Sequence, residues 1–262
     1  MDEEVEAIVF DGVARAVAQD PRMAASLLRE KSAGPNFQSL RGFEVIDSIK
    51  AELEFACPGI VSCSDLLAIA ARDSVVLTGG PAWLVRLGRK DSRTANQKLA
   101  IDSLPPPTSN VFTLIEKFKN VRLTLEDMAT LSGAHIIGKA RCSSFRDRLQ
   151  SQPDPTLGNR LLSSLKQLCG SNNTNPLTNL DLKTPITFDN GYYRNLPSRE
   201  GLLHSDQILY STDERTKNLV EYYIQNPEAF FPNFKVSMIK MGNIRPLLDK
   251  DGEVRRNCRF PN

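Results

Sequence analysis

The chain has 262 residues, of which 40% are apolar, enough for a substantial core in one large or two small domains. A net charge of +2 gives no electrostatic case for nucleic acid, and Arg255, Arg256 and Arg259 read as a solvated surface. No apolar run approaches the roughly eighteen residues a membrane span needs, and the opening MDEEVEAIVF is acidic where an export signal would be basic and then apolar.

In chain order, Val5, Ile8, Val9 and Val13 sit at helical spacing between Glu3 and Ala18. Asp20 and Pro21 then read as the cap and first turn of a second helix, PRMAASLLRE. Phe43, Ile46, Ile49 and Leu53 mark a third, stopped by Cys57-Pro58-Gly59. Ser62 caps an apolar helix running through Val75 and Val76 to Gly79-Gly80, the expected central buried one. Trp83 to Leu87 is the longest strand-like stretch. The polar run from Lys90 to Asn110, with Pro105, Pro106 and Pro107, divides the chain into residues 1–108 and 109–262.

The second half resumes with a stripe of Val111, Leu114, Ile115 and Phe118. Thr124 and Asp127 form a capping-box pattern, opening a helix that delivers His135 near its end. A leucine-rich helix is expected over Leu157 to Leu168, a polar loop from Asn172 to Tyr192, and two closing helices around Asn218 to Ile224 and Phe230 to Met241. The fold class is mainly α. The five cysteines, Cys57, Cys63, Cys142, Cys169 and Cys258, lack zinc-site spacing.

The chemistry centres on LSGAHIIGKARC, Leu131 to Cys142. His135 stands beside Gly133 and Ala134, small enough for a planar group to approach the backbone, and imidazole is the usual protein ligand of haem iron. A ligating imidazole donates its other N–H to a carboxylate or carbonyl, and Asp206, in GLLHSDQIL, is available. Read alone, Asp206 is equally a helix-start cap.

These two words, with RGFEVIDSIK, VSCSDLLAIAARDSV and GGPAWLVRLGRKDS, resemble the class III plant secretory haem peroxidases nearly end to end. The resemblance implies two helical halves enclosing haem b, the first of them truncated. It makes His135 the axial ligand and Asp206 its hydrogen-bond partner, and pairs Asp65 with Arg89. Pro105 takes the position that lines the donor site. It pairs Cys63 with Cys258, tying back the C-terminus, and Cys142 with Cys169. The partner Cys57 would need is absent upstream, so Cys57 reads as a buried free thiol.

DLKTPITFD matches a proximal calcium loop through Asp181, Thr184, Thr187 and Asp189. Closely spaced carboxylates and hydroxyls suit that ion. The family's threonine after the histidine is Ile136 here and offers only a carbonyl, so calcium binding is expected to be weak; a polar loop without an ion is the other reading. The activity implied is hydrogen peroxide-dependent oxidation of small phenolic donors, which also removes peroxide under oxidative stress. The chain is expected to be a monomer without nucleic-acid or membrane partners, extracellular by family although no signal peptide is visible. The sequon Asn172-Asn173-Thr174 agrees with that compartment.

One block is missing. The family word resembling R-L-H-F-H-D-C, with its distal calcium ligands and cysteines, would fall between Arg29 and Glu30. Arg29 aligns with the distal arginine and Asn36 with the asparagine that orients the distal histidine. The chain has only two histidines, and His204 lies two residues before Asp206, so no distal histidine is left. Turnover is expected to be strongly impaired. The alternatives are an inactive haem-binding paralogue and an incomplete gene model or splice product.

Overall fold

The computed structural model describes residues 2–24, 41–94, 98, 102–170 and 175–262. Arg29, Glu30, Asn36, most of the helix expected after Pro21, and the sequon lie outside them. The fold is mainly helical, as expected. It divides into two compact units, Met1–Ile101 with Met238–Asn262, and Asp102–Ser237.

The first unit is built on α1 (Asp2–Gln19), α2 (Phe43–Ala56) and α3 (Cys63–Leu77). α1 buries Val5, Val9, Val13 and Ala16 on one stripe against the other two helices. Gly12 lies in that stripe because a methyl group there would collide with the Ile49 side chain. Ser62 caps α3 by accepting the Asp65 N–H at 3.0 Å. Asp65 then turns to the loop that follows, taking the Gly88 N–H at 2.7 Å and the Arg89 guanidinium at 3.1 Å in a buried ion pair. Trp83 to Leu87 joins no ladder among the described residues, so its alternation reflects one-sided burial of a loop rather than a strand.

The C-terminal segment belongs to this unit. Cys63 is bonded to Cys258. Beside that bond, Asp91 accepts the N–H groups of Cys63, Ser64 and Arg255 at 2.9, 2.8 and 3.0 Å.

The second unit holds α4 (Val111–Asn120) and α5 (Leu125–Ser132), the latter opened by the Thr124–Asp127 capping box. His135 is not on that helix. The chain tightens after Ser132 into a 3-10 turn, Gly133–Ile136, that carries it. Strand β1 (Lys139–Arg141) follows, then α6 (Asn159–Cys169), which is bonded at its end to Cys142. β2 (Leu177–Asn179) pairs antiparallel with β1, Lys139 opposite Asn179, inside what the sequence gives as loop. α7 (Gly191–Asn195), α8 (His204–Ser211), α9 (Glu214–Gln225) and α10 (Pro227–Gly242) complete the set, and α10 passes from this unit into the first. No described helix is long and apolar enough to cross a membrane.

Candidate functional site: an imidazole held by a buried carboxylate

The turn that presents His135 is shaped by its neighbours. A side chain on Gly133 would lie 2.5 Å from the Tyr193 hydroxyl and 2.9 Å from the Phe230 ring. The space beside that glycine is therefore used by the protein's own rings, not by an incoming planar group. The opening is at the imidazole itself, whose side chain is 32% exposed.

His135 Nδ1 lies 2.7 Å from Asp206 Oδ1. A carboxylate accepts, so in the neutral ring the proton sits on Nδ1 and the lone pair on Nε2. Asp206 is almost wholly buried and is held by two more donors, the Tyr192 hydroxyl at 3.2 Å and the Leu203 N–H at 3.3 Å. The two sequence readings of Asp206 are thus compatible, since one oxygen serves the imidazole and the other caps α8. Burial, followed by the Asp206 charge, drives the Tyr192 phenol well above its ordinary pKa, so Tyr192 remains a donor. Nothing in the sequence marks Tyr192, which ends the stretch read as a polar loop.

His204 is held in the same manner elsewhere in this unit. Its Nδ1 lies 2.9 Å from Asp154 Oδ2, which also accepts from Arg148 Nε at 2.8 Å. Arg148 is fully buried and donates to the carbonyls of Gly201 and Leu202 at 2.6 and 2.7 Å, fixing the approach to α8. Burial opposes ionisation of Asp154, but hydrogen bonds from Thr156, His204 and Arg148 outweigh it and hold the carboxyl well below the usual range. Pro107 O accepts the Ser205 N–H at 3.0 Å, so the proline run ending just after Pro105 rests on the start of α8.

The loop after β2 gathers oxygens. Thr184 Oγ1 lies 3.0 Å from Asp181 Oδ2 and 3.2 Å from Asp189 Oδ1. All three converge beside Gly191, where a Cβ would stand 2.7 to 2.8 Å from each. Thr187 closes the loop through its N–H to Thr184 O at 3.1 Å. Ile136 is fully buried, and the strand pairing extends back toward it, with Leu180 N–H donating to Gly138 O at 2.9 Å. Cys57 is unbonded and partly buried.

Taken together, a helical unit orients a part-exposed imidazole through a buried carboxylate, the arrangement that metal-ligating histidines use. Residues 10–226 match the peroxidase family. The chain is 49% identical to Peroxidase 40 of Arabidopsis thaliana, across 99% of this chain and 83% of that protein. It is 46% identical to Peroxidase 15 of Ipomoea batatas, across 98% and 89%, and 49% identical to a peroxidase of Triticum aestivum, across 95% and 86%. This chain belongs to the peroxidase family, the plant haem enzymes that use hydrogen peroxide to oxidise donor substrates and that carry haem and calcium.

Proposed function

We propose that His135 Nε2 is the axial ligand of haem b in this peroxidase, and that the chain retains this half of the reaction while having lost most of the other. The observation that carries the reading is the 2.7 Å contact between His135 Nδ1 and Asp206. It fixes the tautomer, aims Nε2 outward and makes the imidazole a stronger electron donor. Bound haem would supply the reduction of peroxide and the one-electron oxidation of small phenols, with Pro105 lining the donor's approach.

Asp181, Thr184 and Asp189, with the Thr187 and Ile136 carbonyls, are the proposed proximal calcium ligands. The three oxygens converging on Gly191 fit a hard cation. A threonine at 136 would add a hydroxyl that isoleucine lacks, so affinity is reduced.

Peroxide cleavage also needs a base to take a proton from the bound oxygen and return it to the departing one. Both histidines of the chain are already committed, His135 to Asp206 and His204 to Asp154. Arg29 and Asn36 align with the family's distal arginine and asparagine, with no imidazole to serve. The aligned length with Peroxidase 40, 290 positions, exceeds the 262 residues of this chain, so gaps open within it. An omitted block after Arg29 is the reading we give those gaps. Losing a positioned base costs on the order of 10²- to 10⁴-fold in rate. The same observation favours a second reading, a haem-binding paralogue without turnover or a transcript lacking the block. Two disulfides suit an oxidising, extracellular compartment.

Titration with hemin tests the reading. A Soret shift is expected in the native chain, with peroxide-dependent phenol oxidation far below that of intact relatives. Absence of any shift would overturn the ligand assignment, and turnover at the relatives' rate would overturn the distal argument.

A further inference from the structure

Four of the chain's five tyrosines stand in one file that begins at the imidazole and ends in solvent. The Tyr192 ring meets His135 edge-on at 6.3 Å between centroids. Tyr192 to Tyr193 is 5.1 Å, Tyr193 to Tyr223 is 4.9 Å, and Tyr223 to Tyr222 is 5.7 Å. Each is an aromatic contact distance. The first three rings are buried, whereas Tyr222 is 46% exposed. Phe230 packs against Tyr193 and Tyr223, with Phe188 and Phe234 against Phe230, and phenylalanine, lacking the phenolic oxygen, is much harder to oxidise. All of these residues lie within the second unit.

We propose that Tyr192, Tyr193, Tyr223 and Tyr222 form an electron relay, making Tyr222 a second oxidation site for phenolic donors borne on molecules too large to reach the haem. The proposal rests on the haem assignment of His135 above. Each hop would move one electron inward toward bound haem, which would supply the oxidant.

Proton positions decide where the vacancy settles. Tyr192 can lend its proton across the 3.2 Å contact to Asp206 and recover it. Tyr193 donates to the carbonyls of Ala129 and Thr130, at 3.0 and 3.2 Å, which cannot keep a proton. Tyr223 is enclosed by Thr130 Oγ1 at 2.6 Å and the Asn233 amide at 3.1 Å. Neither inner ring can become a stable neutral radical. At Tyr222 the phenolic proton leaves to water with the electron's departure. An outside phenol then returns one electron and one proton and is itself left as the phenoxyl radical.

The test avoids the missing distal base. The chain is loaded with zinc protoporphyrin and the porphyrin is photo-oxidised in the presence of a cobalt(III) acceptor. Tyrosyl radical is followed by transient absorption, and the residue carrying it is mapped with a nitroso spin trap and mass spectrometry. Trapping at Tyr222 is expected in the native chain. It should be lost in Tyr193→Phe and in Tyr223→Phe, two variants that keep the exposed Tyr222 and, by porphyrin fluorescence, the bound pigment. Equal trapping at Tyr222 in either interrupted variant, or radical confined to the buried rings, would overturn the relay and leave the haem assignment standing. Porphyrin that fails to bind, or binds equally to His135→Ala, would remove both.

Discussion

The two imidazoles of this chain make nearly the same hydrogen bond, 2.7 Å to Asp206 and 2.9 Å to Asp154, yet the carboxylates behind them are differently employed. Asp154 Oδ2 is shared with the buried Arg148 guanidinium, so its charge is already neutralised when it meets His204. Among the contacts described for it, Asp206 has only neutral co-donors, a phenol and a backbone N–H, so its charge is directed at His135. On the proposed ligand role, the difference between the two imidazoles would then lie less in the hydrogen bond than in the cation that shares Asp154, with none seen on Asp206 among the described residues.

The largest expected effect separates the pairs outright. His135→Ala should abolish the Soret response to hemin, and His204→Ala should leave it intact; equal losses would mean that the pairs are not distinct in role. Next is the cation. Arg148→Met leaves Asp154 uncompensated and two carbonyls unpaired, and should cost about 3–5 kcal/mol in urea unfolding. A loss near zero would show that Arg148 is not what distinguishes the two acids.

Asp206→Asn should weaken haem uptake by about 10- to 100-fold and raise the reduction potential, while Asp154→Asn should change neither. Smallest is the acid response. Asp154 is depressed below 3.8 in the fold, so its stabilisation is present above that value and is lost as pH falls through the depressed one. Stability should decline from about pH 4 downward, and Asp154→Asn should flatten that slope in denaturation measured at successive pH values.

Legibility in the sequence followed the range of the interaction. Ser62 and the Thr124–Asp127 box announce their helices because a cap is a local event, three residues wide. His135 and Asp206 each stand out as residue types, but their pairing rests on the family words in which they lie. Nothing local relates residues 71 positions apart. Tyr192, Arg148 and Asp154 had no such word, and their roles come from packing alone. The strands escaped notice because three residues carry no period and their partners lie far along the chain. In the 3-10 turn under His135, position 133 must lack a side chain to make room for Tyr193 and Phe230, a demand made by residues far downstream.

Asp91 gathers the N–H groups of Cys63, Ser64 and Arg255 on one carboxylate, close to where Cys63 and Cys258 meet. Such a clamp needs no oxidant. It ties the backbones of the two bonded segments together by itself, so that their register does not rest on the sulfur bond alone.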